Sequence, residues 1–169
     1  CYLEAGDEMA AIDALEKALE SDPDYADANS RLASLIKSKN PTRALDLFHR
    51  ALFSDADHVS ARYNLGLLLE ELGKGEEARQ QFTRVLRIQP DFAKAHFKLG
   101  LYAQRANKPN DAVFHYEQAV ALDPGYHQAW YNLGLIYRAS SMPGKAANAF
   151  HSAYKANPDD PDYQAAVTP

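Results

Sequence analysis

Pro90, Pro124 and Pro158 stand 34 residues apart, and the residues between them repeat in one register. Arg62-Tyr63-Asn64-Leu65-Gly66 lies over His96-Phe97-Lys98-Leu99-Gly100 and over Trp130-Tyr131-Asn132-Leu133-Gly134. The same register stacks Ala78 on Ala112 and Ala146, and Phe82 on Tyr116 and Phe150. An earlier unit carries Ala28, Leu32, Ala44, Phe48 and Ala51 with one residue fewer near Asn40, giving 33. Before it, Ala11, Leu15, Ala18 and Pro23 match the second half of a unit. A period of this length restricts the chain to small supersecondary units that bury their apolar faces on one another.

Within each unit the apolar spacing is helical. Leu65, Leu68, Leu69 and Leu72 recur at steps of three and four, as do Ala78, Phe82, Val85 and Leu86. Pro41, Pro109 and Pro143 stand where a second helix starts, a position at which a missing N–H costs nothing. Each unit therefore reads as a helix hairpin. Helices are predicted over 7–21, 26–38, 41–54, 59–72, 75–88, 93–106, 109–122, 127–140 and 143–156, and residues 159–166 start at most a short one. No segment alternates with period two for long enough to form a strand, so the class is all-α. Gly66, Gly100 and Gly134 fall in mid-helix, where glycine costs about 1 kcal/mol relative to alanine. That cost, repeated at one register, predicts the close approach of another helix backbone, with Phe82, Tyr116 and Phe150 filling the gap between successive hairpins.

The remaining composition excludes more than it identifies. A formal charge of −5 gives no electrostatic support to nucleic-acid binding. No apolar run approaches the length of a membrane span. The single cysteine, Cys1, precludes an internal disulfide framework or a cysteine zinc cluster. Six histidines share no register and form no i, i+4 pair on one helix, so they read as surface or packing residues, with no metal site. Phosphate-loop and serine-nucleophile motifs are absent, which points to a chain that is not an enzyme and needs no cofactor. The absence of disulfides and of a signal sequence tilts the compartment toward the cytoplasm, which is otherwise unreadable. Charge is unevenly spread: residues 1–25 hold eight acids and one lysine, whereas 26–169 hold fifteen acids and seventeen bases.

Trp130-x-x-Leu133-Gly134-x-x-Tyr137, followed by Ala146, Phe150, Ala153 and Pro158, resembles the tetratricopeptide repeat signature. Leu65-Gly66, Ala78, Phe82 and Pro90 match it in one earlier unit, and Leu99-Gly100, Ala112, Tyr116, Ala119 and Pro124 in the next. In the 33-residue unit Ala33 replaces the glycine and Ala56 the closing proline. The resemblance implies a right-handed α–α superhelix of four full repeats and a truncated first one. Its expected divisions are 1–25, 26–58, 59–92, 93–126, 127–158 and a C-terminal tail or short cap at 159–169. Tyr2 falls on the signature tyrosine column, placing Cys1 within a first helix, and Gly6 aligns with Gly73 as that hairpin's turn. Cys1 as the lipid-bearing start of a mature lipoprotein is a second reading.

The resemblance also implies a concave face lined by fixed positions of each first helix. Position five holds Ser30, Tyr63, Phe97 and Tyr131; position six holds Arg31, Asn64, Lys98 and Asn132. Position two holds Asp27, Ser60, Lys94 and Gln128; position nine includes Ser34 and Leu101; position twelve includes Arg138. The expected groove contacts are Tyr63, Asn64, Lys94, Phe97, Lys98, Leu101, Gln128, Tyr131, Asn132 and Arg138. Aromatic rings would bury a partner's side chains while amides pair with its backbone. A carboxylate clamp of the kind some members carry is matched by Asn64, Lys94 and Lys98, but Ser30 and Ser34 fill its other places. The implied function is a non-catalytic interaction scaffold for a protein or peptide partner. The alternatives are the substrate-recruiting repeat region of a larger enzyme, such as a glycosyltransferase, and a module that self-associates end to end through its truncated first repeat.

Overall fold

The computed structural model describes residues 2–167, and side chains over 8–167. The described residues form ten helices and no strand: α1 Tyr2–Ser21, α2 Ala26–Ile36, α3 Pro41–Ser54, α4 Val59–Glu71, α5 Gly75–Ile88, α6 Ala93–Arg105, α7 Pro109–Leu122, α8 His127–Ala139, α9 Pro143–Ala156 and α10 Pro161–Val167. Four helices reproduce the predicted bounds residue for residue, and α2, α4, α6 and α8 end within two residues of them. The chain divides into two compact units, Cys1–Ile88 and Gln89–Pro169. In the first, α2 pairs with α3 and α4 with α5; in the second, α6 pairs with α7 and α8 with α9.

The turns inside the hairpins follow from single residues. Gly73, Asn107 and Ser141 lie 34 residues apart and take φ values of 74°, 55° and 58°, the left-handed conformation that closes a helix C-terminus. Gly73 N–H then reaches Glu70 O at 3.0 Å, and Lys74 N–H reaches Leu69 O at 2.8 Å. The 33-residue unit lacks the residue for this column. Its α2 closes instead with Lys39 and Asn40 N–H groups both on Ile36 O, and Asn40 caps α3 through Arg43 N–H at 3.0 Å. Pro41, Pro109 and Pro143 each occupy the first turn of the helix they open.

Two expectations are overturned. Gly6 makes no turn, because α1 runs unbroken from Tyr2 to Ser21. Continuing the helix through Gly6 costs about 1 kcal/mol, the usual penalty of a mid-helix glycine. Cys1, and the C-terminal residues 168–169, lie outside the described residues. The mid-helix glycines do not admit a helix backbone. A Cβ on Gly66, Gly100 or Gly134 would lie 2.7, 2.5 or 2.5 Å from a ring carbon of Phe82, Tyr116 or Phe150. Each ring lies over the glycine of its own hairpin, sixteen residues earlier, and Tyr116 also packs in one core with Ala129 and Leu133 of the following hairpin, as expected for a ring between hairpins.

A further column holds each hairpin to the loop before it. Asn29 Nδ2 donates to Pro23 O at 2.8 Å, His96 Nε2 to Pro90 O at 3.0 Å, Trp130 Nε1 to Pro124 O at 3.0 Å and Gln164 Nε2 to Pro158 O at 2.9 Å. Arg62 makes the same bond to Ala56 O. Five different side chains share one property, an N–H that reaches the carbonyl six residues earlier.

Candidate functional site

In the first unit, α2 presents positions two, five, six and nine, and α4 positions two and six, to one cavity of about 710 Å³. Asp27, Ser30, Arg31 and Ser34 come from α2, and Ser60 and Asn64 from α4. Ala11, Ala14 and Leu15 of α1, with Leu35, supply the apolar part of the wall. A short chain of hydrogen bonds fixes the polar part: Asn64 Nδ2 donates to Ser34 Oγ at 3.2 Å, and Ser34 Oγ donates to Ser30 O at 2.9 Å. This leaves the Asn64 carbonyl oxygen available to a backbone N–H. His58 caps α4 by accepting Ala61 N–H on Nδ1, so its proton sits on Nε2 and donates to Asp27 at 3.1 Å. Ser30, Ser34 and Asp27 occupy expected groove positions but lack the aromatic character that marks the other repeats. The sequence presents His58 only as a surface or packing residue. Its signal is its place immediately before a helix that lacks a Ser, Thr, Asn or Asp cap.

Tyr63 does not line that cavity. Half-buried, its ring packs at 5.5 Å from the Phe82 ring, the same ring that covers Gly66. The second unit repeats the arrangement: Phe97 lies 5.8 Å from Tyr116, and Tyr131 lies 5.6 Å from Phe150. Each position-five ring thus spends one face on its own hairpin. Phe97 gives further surface to Tyr126 at 4.8 Å, and Tyr131 to Tyr163 of α10 at 5.0 Å. Tyr163 is buried, and its hydroxyl pairs with His127 Nδ1 at 2.9 Å. Burial, then the charge of Asp160, raises the Tyr163 pKa above that of a free tyrosine.

The other expected residues of the second unit have varied surroundings. Leu101 is half-buried and packs with Phe97 against the core around Tyr116 and Leu133. Asn132 hydrogen-bonds the Tyr116 hydroxyl, which itself donates to Gln104 Oε1 at 2.8 Å. The Arg138 guanidinium stands 5.3 Å over the Phe150 ring. Lys94 and Gln128 are exposed, and Lys98, one turn from Lys94 on α6, is half-buried. Lys94 and Lys98 belong to the second unit and Asn64 to the first.

Sequence reasoning missed a histidine pair. His96 Nδ1 faces His115 Nδ1 at 3.1 Å across α6 and α7. His96 already donates from Nε2 to Pro90 O, so its Nδ1 accepts and His115 Nδ1–H donates. Desolvation lowers the pKa of both rings and favours the neutral pair. The residues are nineteen apart, the spacing at which Arg62 meets Gln81 in the first unit. Among the described residues no group of three or more His, Cys, Asp or Glu is placed to hold a metal ion, and no helix is long and apolar enough to cross a membrane.

Tetratricopeptide repeat models match residues 34–91 and 97–161, and another matches residues 1–25. No curated protein sequence matches the chain. Solved structures similar to it include PilF of Pseudomonas aeruginosa, with a TM-score of 0.85 at 24% identity over 98% of this chain and 76% of that one. MamA gives 0.76 at 24% identity, over 92% of this chain and 91% of that one. YrrB, described as a TPR protein with an unusual peptide-binding site, gives 0.72 at 24% identity, over 96% of this chain and 84% of that one. At these identities the likeness shows the fold, an all-α helical repeat.

Proposed function

The chain belongs to the tetratricopeptide repeat family, and from that premise we propose that it is a non-catalytic scaffold that binds a segment of a partner protein on its first helices. One observation carries the reading: positions two, five, six and nine of α2, with positions two and six of α4, line a cavity of about 710 Å³. These are the positions expected to face a ligand, and the cavity has an apolar side and a hydrogen-bonding side. That division suits a polypeptide, whose side chains need the first and whose backbone needs the second. Asn64, held by Ser34, offers its carbonyl oxygen to a backbone N–H without further ordering cost. The peptide-binding site of YrrB lends the same direction to the reading. Selection of displayed peptides on the immobilised chain, followed by titration of a selected peptide, tests it. Asn64→Ala combined with Ser34→Ala should weaken the selected peptide about tenfold or more. Equal affinity for wild type and variant would move the site off this face.

A further inference from the structure

His96 and His115 occupy two columns of the repeat, one on each helix of a hairpin. The same columns hold Asn29 with Leu47 in α2–α3, Arg62 with Gln81 in α4–α5 and Trp130 with Ala149 in α8–α9. Arg62 and Gln81 are joined at 3.1 Å, so one N–H and one acceptor satisfy the place where it is polar at all. Of the four hairpins, α6–α7 alone puts two imidazoles there, and their Nδ1 atoms stand 3.1 Å apart. Two nitrogens bound at about 2.0–2.1 Å to one metal ion, at tetrahedral or octahedral angles, lie about 2.8–3.4 Å from each other. The observed separation falls inside that interval.

The tautomers suit ligation. His96 donates from Nε2 to Pro90 O at 3.0 Å, which leaves Nδ1 bare and fixes the ring, and metal-bound histidines are commonly held by a carbonyl in this way. His115 becomes the second ligand when the proton on its Nδ1 passes to its Nε2, so the neutral pair takes up a cation without releasing a proton. Desolvation keeps both rings neutral above pH 6.5. His96 is buried and His115 half-buried, and the Phe114 ring stands 5.2 Å from His115 and 6.4 Å from His96. Among the described residues no third His, Cys, Asp or Glu is placed to complete the set, so water fills the remaining positions. Asp111, one turn before His115 on α7, contributes a negative charge that bears on His115 and offsets part of the charge of a dication. We infer that His96 and His115 form a two-histidine site for a divalent ion that favours imidazole, such as zinc, nickel or copper(II) and not magnesium or calcium, and that the ion ties α6 to α7. Neither residue lines the cavity on α2 and α4.

Zinc chloride titrated into the whole chain by calorimetry tests the site, with Cys1→Ser in every sample to remove the single thiol. One zinc per chain is expected, and either His96→Gln or His115→Gln should weaken it at least about tenfold. Both variants keep the local packing: glutamine bonds the same loop carbonyl at Gln164, and Gln81 holds the His115 column in α5. Circular dichroism checks that each is folded. A second readout locates the ion, because zinc should shift the Nδ1 signals of His96 and His115 in long-range proton–nitrogen spectra and leave those of His49 and His151 in place. A third follows from the tie between the helices: at free zinc about a hundred times Kd the melting temperature should rise by about 5 °C or more, and magnesium should leave it unchanged. No zinc uptake, or equal uptake by the wild type and both variants, overturns the inference. So does a metal found on other histidines, and so does one zinc per two chains, which would place the ion between copies.

Discussion

The glycines and histidines act through single contacts, so their substitutions separate cleanly. At Gly100 an added Cβ would sit 2.5 Å from Tyr116 Cε1, and that ring is pinned by Gln104 and Asn132. Gly100→Ala should cost about 1–3 kcal/mol, the range of overpacking a closed core. Gly144, in the first turn of α9, has open space where a Cβ would stand, with nothing within 4 Å. Gly144→Ala should stabilise by about 0.5–1 kcal/mol, and urea denaturation of the two variants measures both signs. The His96–His115 pair sets a pH dependence. Both folded-state values lie below the ordinary histidine value of 6.5, chiefly through desolvation. The unfolded chain therefore takes up protons first as pH falls: the stabilising contribution is complete above about 6.5 and is lost progressively below it. The groups that bear on the pair are Asp111 on α7, whose charge opposes the shift at His115, and the Pro90 carbonyl at His96. His96→Gln should keep the bond to Pro90 O, as Gln164 does to Pro158 O, while flattening the decline between about pH 7 and 5. A decline as steep as that of the wild type, followed by thermal melts across that range, would place its origin elsewhere.

At the level of elements, the helix ends were the most legible part of the sequence, because proline and the turn column mark them chemically. Asn107 and Ser141 hold φ near 55° and 58° without being glycine, a conformation costing L-residues about 1–2 kcal/mol. Ser141→Gly should therefore stabilise the α8–α9 hairpin by about 1 kcal/mol, raising the urea midpoint without changing the slope. The column that ties each hairpin to the preceding loop was not legible. Asn29, Arg62, His96, Trp130 and Gln164 have no common size, charge or hydrophobicity, and only the folded chain reveals the shared N–H. The mid-helix glycines were seen but misassigned, since a one-dimensional period cannot say whether a ring or a backbone occupies the space it predicts. Of the residues lining the cavity, Asp27, Ser30, Arg31, Ser34, Ser60 and Asn64 stand at positions the repeat register singles out. The packing of Tyr63, Phe97 and Tyr131 on Phe82, Tyr116 and Phe150 was not legible, because an aromatic in a repeat column reads identically whether its face is open or spent on a neighbour.

For the molecule as a whole, neighbouring hairpins matter more than distant ones, since α3 packs on α4 and α7 on α8, and the contacts of each helix are with elements close in sequence. In such a stack, stability is a sum of unit terms and nearest-neighbour terms, and damage decays with distance along the chain. Trp130 is the single tryptophan and sits on α8, so its fluorescence reports the second unit, while far-ultraviolet circular dichroism averages every helix. Phe48 is wholly buried on α3 in the first unit, and Phe48→Ala should cost about 3–5 kcal/mol there. The dichroism transition should shift to lower urea and broaden, while the Trp130 transition moves by less than half as much. Phe150→Ala, beside Tyr131 on the same hairpin as Trp130, should shift the fluorescence transition first. Coincident shifts of both probes in both variants would show one cooperative unit of 169 residues, in which a peptide bound in the cavity between α2 and α4 would stabilise α9 as much as α2. Separate shifts would confine the stabilisation by that peptide to the unit it touches.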